Sequence, residues 1–417
     1  MSPGLLSSLK RVTGLALVLG GLLVGFLFAN KSGNNPNVYS NDFSVYYHAA
    51  REMIDGRDPY AHSLGDWTPY IYPPLLAELL VPLALLPLPV AAYIWFLINA
   101  ASIVFAAFLS VTLLRMDTKA VGQESHAKVA GIWKEALAAG AVLLVFRFVL
   151  DTFTLGQVNA LIAGLAVAHI YLYNRGRRVL SAIVLAFAIS IKLTPALLLV
   201  YHLAKMRLKF SIACAGLVVA VTIASLLPFG SSGTDVFQVF LRRTVKNEQG
   251  YDFSYSGNQS LRGAIARLRI SNTEAENSAD ARNAIDWSTI VGSILLLSLG
   301  VFAARRVTNE LAAVAPFFCG FVLVSSLSWK AHYVVLIPAA ALLLYEAVGS
   351  KKRAVAIAAY LAPFVLFNFT SQKIIGVAAA EWADEHSLVL VGALIVFIVC
   401  VFLNLLVNKS KAEDVVT

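Results

Sequence analysis

The chain has 417 residues, of which 59% are hydrophobic and only 14% are charged, whereas about a quarter of the residues of an ordinary soluble domain are charged. The apolar residues come in blocks long enough to cross a bilayer, which takes roughly 20 residues per helix. This pattern excludes a soluble enzyme, a nucleic-acid-binding protein and a disordered chain. We predict an all-α polytopic membrane protein with about twelve membrane helices, two of them short.

The net charge of +9 requires no acidic partner, because basic residues cluster in short loops that the positive-inside rule assigns to the cytoplasm. The apolar run over residues 12–28 predicts an uncleaved first span, and both chain termini are expected in the cytoplasm. The three cysteines lie in apolar segments. This placement argues against a disulfide framework or a metal cluster.

The first outer loop is expected over residues 31–88. Apolar residues recur at helical spacing from Phe43 to Ile54, which predicts an interfacial helix with Asp42 at its N-terminus. A second helix, over residues 74–86, is expected on or in the outer leaflet, followed by a crossing over residues 87–114. A second long outer loop is expected over residues 229–286. The whole chain is expected to form one membrane domain.

The interval from Val179 to Ala204 is too short for two full spans between two basic loops. Two short helices that meet at residues 192–195 would resolve this conflict, and irregular backbone at membrane depth is tolerated where it lines a cavity. We therefore predict an outward-facing cavity with Lys192 at its floor. The alternative for Lys192 is a side chain that snorkels to the interface.

Other polar residues gather on the predicted outer side, where ionisable groups are functional by default. Asp42 is either a helix N-cap or a general base, and Arg147 and Asp151, four residues apart, are expected to pair with each other. Four amide side chains could either start helices or bind sugar hydroxyls, and they are Gln157, Asn159, Asn258 and Gln259. Four other side chains could belong either to the membrane interface or to an anion-binding site, and they are Arg262, Trp329, Lys330 and His332.

One carboxylate with several cations and amides fits sugar transfer from a phosphate-activated lipid. The cations would neutralise the departing phosphate, and the carboxylate would deprotonate the acceptor hydroxyl. No D-x-D, phosphate-binding loop or H-E-x-x-H motif occurs. We expect no cofactor, no metal and no nucleic-acid partner.

Several motifs resemble those of family 87 of the C-type-fold glycosyltransferases. They are Asn41-Asp42-Phe43, Tyr47-His48-Ala49-Ala50, Gly56-Arg57-Asp58-Pro59-Tyr60, Tyr70-Ile71-Tyr72-Pro73-Pro74, Gly156-Gln157-Val158-Asn159, Lys192-Leu193-Thr194-Pro195 and Trp329-Lys330-Ala331-His332. The resemblance implies a GT-C fold and an inverting transferase that needs little or no metal. It would use a polyprenyl-phosphate sugar outside the cytoplasmic (inner) membrane and transfer the sugar to a lipid or glycan acceptor.

The resemblance also implies site residues. Asp42 is then the base, and the cations Lys192, Arg262, Lys330 and His332 bind the donor with the four amides. The side chains expected to line the substrate are Tyr47, His48, Tyr72 and Trp329. Mannose is the expected sugar and arabinofuranose the alternative, while a lipid or sugar transporter and a glycan ligase are the other classes of protein that the sequence leaves open.

Overall fold

The computed structural model describes residues 20, 23–27, 42–60, 69–118, 134–245, 252–269, 279–349 and 353–413, and these residues form helices and connecting segments without a strand. The predicted first span and Asn41 lie largely or wholly outside the described residues. The described chain begins with three helices, α1 (Asp42–Ile54), α2 (Pro74–Ala84) and α3 (Leu88–Thr118). They lie where the hydrophobic pattern predicts them.

Helix α2 shows how proline sets these boundaries. Pro74 occupies the first turn, where a missing N–H costs nothing because that N–H has no partner within the helix. Helix α2 packs against α1, and the Tyr47 hydroxyl donates to the backbone oxygen of Leu86 at 2.8 Å. The two short helices thus form one layer at one end of the bundle.

The next elements are α4 (Lys134–Leu144), α5 (Phe146–Leu155) and α6 (Asn159–Asn174). Helices α4 and α5 meet at an angle of 71°. Helix α5 ends at Gly156, whose φ of 67° and ψ of 35° lie in the left-handed region that glycine enters without a steric penalty. The Trp95 indole donates to the Gly156 backbone oxygen at 2.7 Å and holds this turn against α3.

Helices α7 (Arg178–Ile191) and α8 (Leu197–Ala204) flank a break that contains a short 3₁₀ turn over Thr194–Ala196. Pro195 has no N–H for the backbone oxygen four residues before it, so α7 cannot continue through it. Lys192 adopts an extended conformation, with φ −152° and ψ 134°. The break therefore lies at the residues that the sequence predicts.

The following helices are α9 (Leu208–Leu226), α10 (Gly233–Val245), α11 (Leu261–Arg269) and α12 (Ala279–Ala304), with a 3₁₀ turn over Leu227–Ser232 before α10. The segment expected as the second outer loop thus contains two helices and the start of a third. Helices α9 and α12 are apolar, yet only 17% of the most apolar stretch of each is buried within the protein. Such exposure of apolar residues is expected for helix surfaces that face lipid.

The last part comprises α13 (Glu310–Leu323), a 3₁₀ turn over Lys330–Leu336, α14 (Ile337–Gly349) and α15 (Arg353–Asn368). It ends with α16 (Gln372–Ile375), α17 (Val377–Glu385) and α18 (Leu388–Glu413). Helix α13 is buried along almost its whole length. It packs against α14, α18 and α12 and forms the centre of the bundle.

Five described segments are long and apolar enough to cross a membrane, and the bent pair of α4 and α5 makes a sixth. Their ranges are 88–116, 208–244, 280–304, 330–348 and 388–405. Five shorter apolar helices accompany them, including α7, the segment 194–204 and α13. The chain is therefore a multi-pass helical membrane protein.

Candidate active site

A cavity of about 950 Å³ lies where the broken elements meet. Its wall comes from the start of α1, the end of α5, the break before α8, the end of α13 and the turn that precedes α14. Eight predicted site residues line it, namely Asp42, Tyr72, Gln157, Lys192, Arg262, Trp329, Lys330 and His332. Residues separated by up to 290 positions in the sequence are thus brought to one chamber.

Gln157 organises the carboxylate side of this cavity. Its Oε1 atom accepts hydrogen bonds from the Tyr46 hydroxyl at 3.2 Å, the Tyr72 hydroxyl at 3.4 Å and the Asn159 amide at 3.1 Å. The oxygen of Gln157 is thus used as an acceptor, and its NH₂ group is available as a donor. Gln157 forms a side-chain hydrogen bond with Asp42, in which this NH₂ group donates to the carboxylate. Asn159 does not line the cavity and acts through Gln157.

Asp42 is a half-buried carboxyl at the first turn of α1. Burial raises the pKa of Asp42 to about 6, while the hydrogen bond from Gln157 and the positive charge of Lys192 oppose that rise. A carboxylate with a pKa close to neutral is suited to accept a proton from a hydroxyl group.

The Lys192 ammonium and the His332 imidazole both line the cavity. The Lys192 ammonium lies 5.3 Å from the centre of the Tyr72 ring, and no other described residue gives it a hydrogen bond or an ion pair. His332 is 9% exposed, and within the described structure its buried Nε2 atom has no hydrogen-bond partner. Because buried polar groups are normally paired, the Lys192 ammonium is suited to an anionic ligand, and the Nε2 atom of His332 to a polar group of that ligand.

Arg262 and Lys330 line the same cavity, but each already has an acidic partner. Arg262 pairs with Asp286 at 2.5 Å and lies over the Phe253 ring at 3.8 Å. Lys330 pairs with Asp384 at 2.5 Å. Their positive charges are therefore largely compensated by these carboxylates. To contact the donor as predicted, each cation would have to bind the donor and its acidic partner at the same time.

The structure places four other predicted site residues away from the cavity wall. The Asn258 amide donates to the backbone oxygens of Phe253 and Ser326, and the Gln259 amide donates to those of Ser256 and Asp384. The Tyr47 hydroxyl donates to the backbone oxygen of Leu86, just after α2, and the His48 ring packs edge-on against the Tyr47 ring with their centres 5.4 Å apart. These side chains support the loops around the cavity, and their contact with substrate stays a prediction.

The expected pairing of Arg147 with Asp151 is wrong. The Arg147 guanidinium instead donates to the Thr370 hydroxyl at 2.9 Å and to the Phe367 backbone oxygen at 3.4 Å. Asp151 lines the cavity. Tyr46 and Arg243 also line it and escaped sequence analysis, because aromatic and arginine residues are common at membrane interfaces and carry no distinctive spacing.

The described residues contain no group of three or more His, Cys, Asp or Glu side chains arranged to hold a metal ion. The chemical groups that the structure brings together are the carboxylate of Asp42, which is suited to act as a base, the ammonium of Lys192, the imidazole of His332 and an apolar lining. The apolar lining includes Leu193, Leu197, Val200, Phe321 and Val324.

Three relatives of established activity share this chain's sequence over most of its length. Two are polyprenol-phosphate-mannose-dependent alpha-(1-2)-phosphatidylinositol mannoside mannosyltransferases. The one from Mycobacterium tuberculosis is 26% identical over 367 residues, covering 85% of this chain and 81% of the relative. The one from Mycolicibacterium smegmatis is 27% identical over 345 residues, covering 79% and 74%.

The third relative is the corresponding phosphatidylinositol pentamannoside mannosyltransferase of Mycolicibacterium smegmatis, which is 27% identical over 319 residues, covering 71% of this chain and 67% of the relative. With the multi-pass helical fold, these likenesses define an integral membrane glycosyltransferase. The family model of glycosyltransferase family 87 matches residues 70–327, more than half of the chain. The chain belongs to that family, as the sequence motifs imply.

Proposed function

We propose that this protein transfers mannose from a polyprenyl-phosphate donor to a hydroxyl group of a glycolipid, with inversion at the sugar carbon. The observation that carries the proposal is the joint presence, in one cavity, of the Asp42 carboxylate, the Lys192 ammonium and the His332 imidazole. The activities of the three mannosyltransferase relatives support mannose as the sugar.

The proposed reaction begins with Asp42, which removes the proton from the acceptor hydroxyl. The resulting oxygen attacks the anomeric carbon of the donor sugar, and the bond between that carbon and the phosphate oxygen breaks. The electron pair of this bond leaves on the polyprenyl phosphate. Lys192 and His332 stabilise the negative charge that develops there, and Gln157 holds Asp42 in position.

The apolar residues of the cavity wall provide for the lipid part of the donor. Leu193 and Leu197 lie directly after Lys192, and Phe321 and Val324 end the central helix. An isoprenoid chain bound there would place its phosphate next to the lysine. Arg262 and Lys330 are the proposed secondary contacts of the donor at the cavity rim.

We infer a GT-C fold with about twelve membrane helices, both termini in the cytoplasm and the cavity on the outer face of the cytoplasmic membrane. The long spans, the bent pair and the shorter apolar helices support a number of this size. The basic residues of the loop between α6 and α7 support the orientation, since α6 begins beside the cavity and ends at that loop.

The test is a transfer assay with purified protein in lipid vesicles, radiolabelled polyprenyl-phosphate mannose and phosphatidylinositol mannosides as acceptors. Asp42→Asn should reduce the rate by about 10³-fold, a typical effect of losing a general base, with unchanged expression and thermal stability. Asp235→Asn, at an exposed position of α10 outside the cavity wall, is the matched control and should transfer at the wild-type rate.

Full activity of Asp42→Asn would contradict the assignment of the base. Transfer from polyprenyl-phosphate arabinose, without any from the mannose donor, would replace mannose as the sugar. Movement of labelled donor across the vesicle membrane without a product would instead indicate a transporter.

A further inference from the structure

One wall of the cavity has no part in the proposed chemistry. It consists of Asp151 on α5, Tyr255 in the segment before α11, and Trp329 in the turn before α14. The Tyr255 and Trp329 ring centres are 5.8 Å apart with 61° between their planes. We call these three residues the aromatic–acidic wall.

The wall is one connected surface. Asp151 is followed by Thr152, whose hydroxyl donates to the Ala331 backbone oxygen at 3.2 Å, so α5 is fastened to the turn that carries Trp329. The buried Asn258 side chain in turn accepts from the backbone N–H of Ser328 at 3.0 Å. These bonds hold segments from three parts of the chain beside one another.

Gly257 permits the close approach of the two rings. A Cβ atom at this position would lie 2.5 Å from the Tyr255 ring and 3.1 Å from the Trp329 ring, which is closer than carbon atoms can pack. Tyr255 is nevertheless 57% exposed. A large aromatic surface is thus kept at the cavity, although burying it elsewhere would be favourable.

Asp151 is the second unusual feature of the wall. None of the described residues gives its carboxylate a hydrogen bond or an ion pair. Three basic residues act on it by their charge, namely Arg147, Lys330 and Lys373, and the first two are occupied by Thr370 and by Asp384. A half-buried carboxylate accepts several hydrogen bonds, and here they must come from whatever occupies the cavity.

We propose that the aromatic–acidic wall is the subsite that binds the terminal sugar ring of the glycolipid acceptor. The C–H face of a pyranose ring would stack on Tyr255 and Trp329, while its hydroxyls donate to Asp151. This assignment rests on the proposed function for its donor side.

The opposite assignment, in which the wall binds the donor sugar, is less consistent with the arrangement of elements. The donor phosphate is placed by Lys192 and His332, and its lipid by the residues after Lys192. Two of the three wall residues come from other segments, Asp151 from α5 and Tyr255 from the residues before α11, whereas Trp329 lies in the same turn as His332. It therefore offers a second subsite, as a reaction between two lipid-linked substrates requires.

The first test measures binding without a donor. Equilibrium dialysis of the full-length protein in detergent would compare radiolabelled octyl mannoside with radiolabelled octanol as probes. Wild type should bind the mannoside more tightly than octanol, and Asp151→Asn and Trp329→Leu should each weaken mannoside binding about tenfold.

The matched controls are Asp235→Asn and Trp287→Leu, which change an exposed carboxylate and an exposed indole outside the cavity wall. Equal mannoside binding by the wild type and both wall variants would overturn the proposal, as would wild-type protein that does not prefer mannoside to octanol. Because no donor is present, this result does not depend on whether polyprenyl-phosphate mannose is the true donor.

The second test is steady-state transfer. Both wall variants should raise the KM for the acceptor about tenfold and leave the KM for the donor within twofold. A rise confined to the donor KM would reassign the wall to the donor sugar. If Trp329→Leu fails to fold, the isosteric Asp151→Asn and the surface substitution Tyr255→Leu still decide the question.

Discussion

The carboxyl group of Asp42 lies in a site of low polarity, next to two groups that favour its charged form. Burial raises the pKa of Asp42 to about 6, and Gln157 and Lys192 limit the rise. A base must be deprotonated before it can accept a proton. Since Asp42 is the proposed base, we expect the residues around it to set the pH at which the enzyme becomes active.

We expect kcat/KM to fall about tenfold per pH unit below about pH 6, because protonated Asp42 cannot act as a base. Lys192→Met should move this acidic limb to higher pH, since the lost positive charge had favoured the carboxylate. The measurement is a pH–rate profile of the wild type and the variant in vesicles.

Lys330→Met provides the comparison for that profile. Lys330 is paired with Asp384 and is not among the groups that shift the pKa of Asp42. Its substitution should leave the position of the acidic limb unchanged even if the rate falls. Equal displacement of the limb by both substitutions would contradict a direct effect of Lys192.

At the scale of elements, the active site is built from helices that stop early. Helix α5 ends at Gly156 and α7 ends before Lys192. Each interruption turns a polar side chain into the cavity, Gln157 in the first case and Lys192 in the second. The catalytic arrangement thus depends on backbone geometry that an uninterrupted span could not provide.

Gly156→Ala should destabilise the protein by about 1 kcal/mol, since a left-handed conformation disfavours a side chain, and should also lower kcat/KM because Gln157 shifts. Gly176→Ala is the matched control, as Gly176 has a φ of 77° and lies in the loop after α6. It should show a similar fall in thermal stability with normal activity.

If both glycine variants keep full activity, Gln157 does not need the turn at Gly156 for its position. If both lose activity alike, the effect is one of stability alone. Activity should therefore be measured well below the unfolding temperature of each variant.

The sequence predicted the structure correctly where the number of residues between two basic loops allowed only one arrangement of helices. The interval from Val179 to Ala204 fits two helices only if a break intervenes, and the break lies at Lys192 as expected. The prediction failed where tertiary contacts decide. Arg147 pairs with the end of α15 rather than with Asp151, and no helical spacing rule contains a partner 223 residues away.

At the scale of the whole molecule, polar groups concentrate at both ends of the central helices. Helix α13 is 14 residues long, or about 21 Å. Its last turn contributes Phe321 to the cavity, whereas its first residue, Glu310, accepts from the Arg207 guanidinium at 3.0 Å and from the Tyr201 hydroxyl. One end carries the chemistry and the other fastens α8, α9 and α13 together.

Glu310→Gln should lower the free energy of unfolding by about 3 kcal/mol, because it leaves Arg207 in a largely buried site without its acidic partner. The expected result is a lower Tm in detergent, with kcat/KM unchanged well below that Tm. Glu381→Gln, at an exposed position of α17, is the control and should leave the Tm unchanged. A loss of activity without a loss of stability would show that the two ends of the bundle are coupled.

Lys192 is near enough to Asp42 to feel its charge, but it forms no ion pair among the described residues, and this bears on how the cycle ends. A sugar phosphodiester carries one negative charge, whereas the lipid phosphate left after transfer is a monoester that carries between one and two at neutral pH. The side chain that receives the donor therefore attracts the spent lipid more strongly. We therefore expect departure of the spent carrier, rather than the bond-making step, to limit turnover, and membranes rich in free polyprenyl phosphate to inhibit the enzyme.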